Sequence, residues 1–504
     1  MNIKTKMWGI PDRWLLFPLV GTFIIFLLKL ISFSEILTRK TVDIVNFGDM
    51  AMHVSLLFFL DEYGFHNIVP LWYDGFRLFH LYPSASFFFL LPLYQIISDV
   101  NLVVFVSYIL LFIIAFVAVW FLGRYNHFSK LKTITFFVLL FMNPIIIDYI
   151  FVGGRFPEFF AWVIFSILLA ILSYLKYNKS NYIIFFLIII TLSVLILSHP
   201  YVSLFGLLLT FLAFLTAKFR INRYHLIFSV ILALAFTSFW WIPFIYGWLT
   251  FPSNIPQLTD YQFGELLDIK NSIFSFNTAV IFSWFFIFYL YWKQSTKIKR
   301  EKVFYYPLLL LSFLILFRII SFIPFLNQIP PNSYNIFFIS LTLLTFFKIK
   351  KFNMFNKRAI IISLILLPLI SSIIVFEVRP QESYEFTNQE IKIIELLPEN
   401  RGRYLLIDDI PPHSILKNII AYATIHYNLS TPTGVYHPAT SKKVYDTLET
   451  IGKNLNERDC KELSANLDNL KVTTLISKEE KTCEILKQCN FKEVYNKEVC
   501  MFLS

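Results

Sequence analysis

Leu226–Gly247, LIFSVILALAFTSFWWIPFIYG, runs for 22 residues without a charged side chain. As a helix it would be about 33 Å long, enough to cross the roughly 30 Å hydrocarbon core of a bilayer. Runs of this kind recur along the chain, near 14–37, 100–122, 133–148, 158–175, 181–198, 201–217, 225–247, 273–292, 303–323, 333–347 and 359–376. Composition agrees: 57% of residues are hydrophobic and only 15% charged, against about 25% charged in soluble domains. The expectation is a polytopic α-helical membrane protein with about eleven transmembrane helices. The net charge of +11 does not point to nucleic acid, because the basic residues sit in short connections between apolar runs.

Those connections set the topology. The apolar stretch 84–98 is short and contains Pro92, so it reads as re-entrant or interfacial. With 84–98 not crossing, one set of connections carries 21 Lys and Arg, and the opposite short connections carry 5. Basic connections stay cytoplasmic. The N-terminus is therefore expected inside, its first span a signal anchor rather than a cleaved signal. The chain divides into a transmembrane part, 1–376, with outer loops 38–99 and 149–157, and an extracytoplasmic α/β domain, 377–504. The expected location is the plasma membrane.

In the tail, YLLID (404–408) and VTTLIS (472–477) read as buried strands, EEKTCEILKQC (479–489) as a helix, and FKEVYNKEVCMFL as a hairpin around Asn496 and Lys497. Four cysteines, Cys460, Cys483, Cys489 and Cys500, all lie here. An outward domain permits disulfides, in any of three pairings; a four-cysteine zinc site is the rival without a C-x-x-C pair. Asn428–Leu429–Ser430 is a glycosylation sequon.

Polar chemistry gathers on the outer side. Asp49 and His53 follow the first span at i, i+4 spacing, so a helix would place them on one face. Further along the same loop come Trp72, His80 and Tyr82, candidates to line an acceptor cleft. The second loop, GGRFPEFFAW, offers Arg155 and Glu158. His199 in LSHPY and Arg318 in ILFRIISF sit near outer ends of spans, and an intramembrane arginine tends to be functional. Each has a plain alternative: a capped helix start for Asp49 and Glu158, interfacial anchoring for Trp72, a turn before Pro200 for His199 and snorkelling for Arg318.

Outside the cell an enzyme must draw its activated group from the membrane, and a polyprenyl-phosphate sugar supplies one. Its phosphate leaves as a stable anion, so no general acid is needed. One carboxylate can take the proton of an acceptor hydroxyl as its oxygen attacks the anomeric carbon, half of the logic of an inverting glycosidase. Arginine, histidine or a divalent metal would offset the phosphate charge.

Taken together, the order GDMAMH, YPS, GGRFPE, SHP resembles the GT-C superfamily of integral-membrane glycosyltransferases. More narrowly, it is similar to the largely archaeal and bacterial membrane proteins labelled as related to 6-pyruvoyl-tetrahydropterin synthase. No zinc-binding histidine set accompanies the label, so pterin chemistry is not expected. The resemblance implies an inverting transfer from a polyprenyl-phosphate sugar to a glycan, lipid or protein acceptor. Asp49 would be the general base and Glu158 a second catalytic carboxylate. His53, Trp72, His80, Tyr82, Arg155, His199 and Arg318 would bind substrate. Asp49 and Glu158 are also the candidate ligands of a divalent metal, Mg or Mn, although no DxD motif is present. A transporter or lipid flippase is the alternative, opposed by the lack of internal repeats; a non-catalytic envelope assembly protein is another.

Overall fold

The computed structural model describes residues 15–38, 49–97, 99–151, 153–250, 276–294, 299–317, 319–323, 326, 329, 331–349, 386–400, 402–410, 416–435 and 440–504. Arg318 and the expected span 359–376 lie outside the described residues.

The apolar runs fold as helices: α1 (Leu16–Thr38), α2 (Met50–Tyr63), α3 (Ala85–Ile97), α4 (Val100–Tyr125), α5 (Lys130–Phe141), α6 (Pro144–Phe151), α7 (Phe156–Tyr177), α8 (Tyr182–Ile196), α9 (Pro200–Thr216), α10 (Arg220–Phe236), α11 (Ser238–Thr250), α12 (Phe276–Gln294), α13 (Lys299–Leu316) and α14 (Pro331–Lys348). Short polar residues open several of them. Asp99 accepts from Leu102 N–H at 3.0 Å and Asn181 from Ile184 N–H at 2.9 Å, meeting donors that a helix start leaves unpaired.

Among the described residues, α4 and α7 are individually long and apolar enough to cross a membrane, and the bent pair α10–α11 makes a third if it is one span. Two expected spans are interrupted. The run 133–148 breaks between α5 and α6, where Pro144 has no N–H to continue the ladder and Asn143 Oδ1 accepts from Ile145 and Ile146 N–H. The run 225–247 bends by 68° at Thr237, with Pro243 inside α11. Helix α3 has 13 residues with Pro92 inside, about 20 Å of rise.

Helices α4 and α7 pack along each other, and α9 lies on α7 and α8. Gly206 permits that approach: a Cβ there would stand 2.4 Å from a Leu195 methyl carbon.

The tail forms a four-stranded sheet in the order β3 (Tyr404–Leu406), β4 (Thr474–Ser477), β6 (Cys500–Leu503), β5 (Lys492–Asn496), numbered after the short hairpin strands β1 (Ile68–Val69) and β2 (Phe76–Arg77). Strands β3 and β4 are parallel and the others antiparallel. Alternate residues serve two cores. Tyr404, Leu406, Ile476 and Met501 join the main core, while Leu405, Leu475, Cys500 and Phe502 join a second one with Leu448, Ile451 and Leu463. Disulfides Cys460–Cys489 and Cys483–Cys500 close the second core, choosing one of the three open pairings and leaving no thiol for zinc. The helix Lys417–Tyr427 packs on α2. The sequon residue Asn428 is exposed in a left-handed helix cap.

Candidate functional site

Glycines 153 and 154 precede α7, and Gly154 adopts φ +58°, a conformation that glycine reaches without steric cost. This turn presents its carbonyls to the start of α2. Asp49 N–H donates to Gly153 O at 2.8 Å, and the His53 ring donates from Nδ1 to Gly154 O at 2.9 Å. That carbonyl can only accept, so Nδ1 carries the proton and Nε2 accepts from Tyr82 O–H, also at 2.9 Å. His53 is 3% exposed. It joins the two loops, with both ring nitrogens hydrogen-bonded inside the protein.

Asp49 is exposed at the N-terminus of α2, and its side chain makes no capping bond to that helix. Arg155 lies two residues beyond Gly153, at most about 7.6 Å along the chain, so the two expected loops converge.

Arg155 stands over the Tyr149 ring, 5.3 Å from its centroid, and pairs with Glu158 at 3.7 Å. Glu158 is 3% exposed. Its other carboxylate oxygen accepts from the Ser333 hydroxyl of α14. His199, which precedes α9, feels both charges: burial lowers its pKa first, Glu158 pulls it back up and Arg155 lowers it further. Its Nδ1 is shut away from solvent, with no hydrogen-bond partner among the described residues. Tyr149, Arg155, Glu158, His199 and Ser333 thus form one cluster from four segments.

Trp72 lies elsewhere. It is fully buried, donates from Nε1 to Thr424 Oγ1 at 2.9 Å and bridges to Thr431. This side chain docks the tail on the first loop, beside the Arg403–Asp74 ion pair at 3.1 Å. His80 is half-buried; its pKa is lowered by burial and then by Arg77. His66 is lowered likewise by burial, His80 and Arg77. Tyr82 is half-buried, and its carbonyl accepts from Trp240 Nε1 at 3.0 Å.

Both Glu158 oxygens are engaged, by Arg155 and Ser333, and among the described residues no three His, Cys, Asp or Glu side chains converge to hold a metal. Positive charge in the cluster comes from Arg155.

Sequence reading missed Tyr149, Ser333 and Trp240. Ser333 had one available signal, a hydroxyl in IPPNSYN at the head of an apolar run.

The sequence matches the family described as 6-pyruvoyl-tetrahydropterin synthase related domain, membrane protein, over residues 79–381. No curated protein matches it. Solved structures with a similar fold include the Archaeoglobus fulgidus oligosaccharyltransferase in its apo form, with TM-score 0.53 and 11% identity, covering 90% of this chain and 69% of that one. The archaeal oligosaccharyltransferase AglB from the same organism, in complex with an inhibitory peptide and a dolichol-phosphate, gives TM-score 0.55 and 11% identity over 96% of this chain and 74% of that one. A complex of the A. fulgidus enzyme with Zn and sulfate gives TM-score 0.52 and 13% identity over 90% and 68%. At such identities the likeness is one of fold.

Proposed function

Because the chain belongs to the 6-pyruvoyl-tetrahydropterin synthase-related family of membrane proteins, and shares a fold with archaeal oligosaccharyltransferase, we propose that it is a membrane glycosyltransferase. It moves a sugar from a polyprenyl-phosphate donor to a glycan, lipid or protein acceptor at the extracytoplasmic surface. The chain crosses the plasma membrane eleven times, with a cytoplasmic N-terminus and 377–504 outside; two disulfides in the tail suit an oxidising compartment.

Asp49 removes the acceptor proton while the acceptor oxygen attacks the anomeric carbon, inverting it as the phosphate leaves. Arg155 offsets the phosphate charge. Glu158 holds the guanidinium rather than acting on substrate, and His199 lies beside that pair. Tyr82 and His80 border the acceptor side.

One observation carries this reading: the bonds from Asp49 and His53 to Gly153 and Gly154 hold the carboxylate-bearing loop against the arginine-bearing loop. The test supplies membranes with candidate polyprenyl-phosphate sugars and follows transfer. Asp49→Asn should lower it by about 10²–10⁴-fold, the range for a general base, and Arg155→Gln should raise the donor concentration required. Undiminished transfer by Asp49→Asn would refute the assignment. Movement of intact lipid-linked sugar across vesicles without transfer would favour a flippase.

A further inference from the structure

Two Asn-X-Ser triplets occur in the chain, Asn178–Lys179–Ser180 and Asn428–Leu429–Ser430. Such a triplet accepts an N-linked glycan where its amide and hydroxyl can be reached, on a surface segment outside the cytoplasm. The fold treats the two in opposite ways.

Asn178 is exposed, but its triplet is built into the packing of α7 against α10. Its Nδ2 donates to Tyr174 O at 3.1 Å. Ser180 is buried; its hydroxyl pairs with His225 Nδ1 at 2.8 Å, and its N–H donates to Asn222 Oδ1 at 2.7 Å. Asn222 Nδ2 in turn donates to the carbonyl of Asn178 at 2.9 Å. This triplet also lies in one of the basic connections, with Lys176 and Lys179, that the charge pattern assigns to the cytoplasm.

Asn428 ends the helix Lys417–Tyr427 in the left-handed conformation, φ 52° and ψ 36°. Its N–H donates to Thr424 O at 3.1 Å, and that of Leu429 donates to Ala423 O at 3.2 Å, so the helix is closed by backbone alone. Asn428 is exposed and Ser430 half-buried. Neither the Asn428 amide nor the Ser430 hydroxyl bonds to another of the described residues. Asparagine tolerates a left-handed cap, which accounts for Asn428 by itself. The cap does not require a hydroxyl two residues on. Nor does it require a place in a segment closed by two disulfides, which suit an oxidising compartment.

We propose that Asn428 is an N-glycosylation site. Its Nδ2 attacks the anomeric carbon of a lipid-phosphate-linked oligosaccharide held by a separate oligosaccharyltransferase. The bond from that carbon to the phosphate oxygen breaks, the amide gives up one proton, and the lipid phosphate leaves as an anion. The inference rests on the extracytoplasmic placement of 377–504, not on the transfer activity proposed for this chain. Glycan addition precedes docking of the tail. Directly after the triplet the backbone is fixed, with Tyr404 N–H donating to Ser430 O at 3.1 Å and Thr431 N–H to Leu71 O at 2.8 Å. The segment can enter another enzyme only before β3 and the first loop close on it. Afterwards the exposed amide keeps the glycan in solvent.

The test purifies the full chain from membranes of the cells it comes from, digests it with trypsin and weighs the peptide 418–442. An epitope tag after Ser504, read by antibody on sealed spheroplasts, reports the side of the tail independently. The wild-type peptide should be heavier by a glycan, and the peptide carrying Asn178 should be unmodified. Ser430→Ala leaves the cap asparagine in place and should return 418–442 to its bare mass, whereas Ser430→Thr should keep the glycan. Asn428→Gly suits the left-handed cap and should lose it. An unmodified wild-type peptide with the tag reached from outside would overturn the glycan and leave the topology standing. An unmodified peptide with the tag out of reach would overturn both. A glycan that survives Ser430→Ala or Asn428→Gly would overturn the assignment to this triplet.

Discussion

Replacing His53 with alanine removes two hydrogen bonds and leaves a hole beside Phe87, whose ring centroid lies 6.0 Å from that of the histidine. Gly154 is buried, but its carbonyl also accepts from Phe156 N–H at 2.9 Å, so losing the His53 donor costs about 0.5–1.5 kcal/mol. The half-buried Tyr82 hydroxyl can turn to water, and losing that bond costs about 0.5–1.5 kcal/mol. His53→Ala should therefore destabilise by about 1–3 kcal/mol. His53→Asn, whose amide can still donate toward Gly154, should recover roughly half. Because His53 and Tyr82 share one bond, His53→Ala and Tyr82→Phe should be non-additive, with a coupling of about 1 kcal/mol. The assay is a thermal or denaturant melt of purified protein in one detergent, supplemented by cleavage of the 64–84 loop with a protease of broad specificity. A shift below about 0.5 kcal/mol for His53→Ala, or a strictly additive cycle, would refute the view that this imidazole clamps the two loops together.

Glu158→Ala should destabilise by about 2 kcal/mol, since it strips Ser333 of its acceptor and leaves Arg155 without its carboxylate; Glu158→Gln, which keeps an acceptor for Ser333, should cost less in the same melt. His66 and His80 both have pKa values held below the ordinary 6.5, so the unfolded chain binds protons first as pH falls. Stability should be fully present above about pH 6.5 and decline as pH drops through the lowered folded values; melting temperatures between pH 8 and 5 test this, and a double His66→Asn, His80→Asn variant should show a shallower decline. Removing Cys460–Cys489, which spans 29 residues, should destabilise the tail by about 3–4 kcal/mol on a chain-entropy estimate, seen as earlier proteolysis between 442 and 504. A tail as resistant in Cys460→Ala/Cys489→Ala as in wild type would contradict that estimate.

Much of the helical layout was legible because burial in lipid writes long uncharged runs, and α4, α7, α8 and α9 follow them closely. The tail strands were legible for a related reason. Short continuous apolar runs such as YLL and TLI mark buried strands, but they do not say what lies on either face. The two interrupted spans were harder: hydropathy averages over Pro144 and Thr237, where backbone hydrogen bonding breaks or turns. The site divides in the same way. Asp49, Arg155 and Glu158 stood out because charge at the edge of an apolar run is uncommon, whereas Ser333 and Tyr149 are ordinary residues that gain meaning only from their neighbours.

From the sequence alone came a membrane-embedded helical chain, a cysteine-bearing tail of strands and helices, and the two loops that carry its polar residues, because hydrophobic length and periodicity are local properties. Tertiary structure decided which residues meet. It paired Glu158 with a serine 175 residues away, turned His53 and Trp72 inward as fastenings, and selected one disulfide pairing of three. Contacts between distant segments depend on how whole helices and the sheet pack, and no local pattern of residues records that packing.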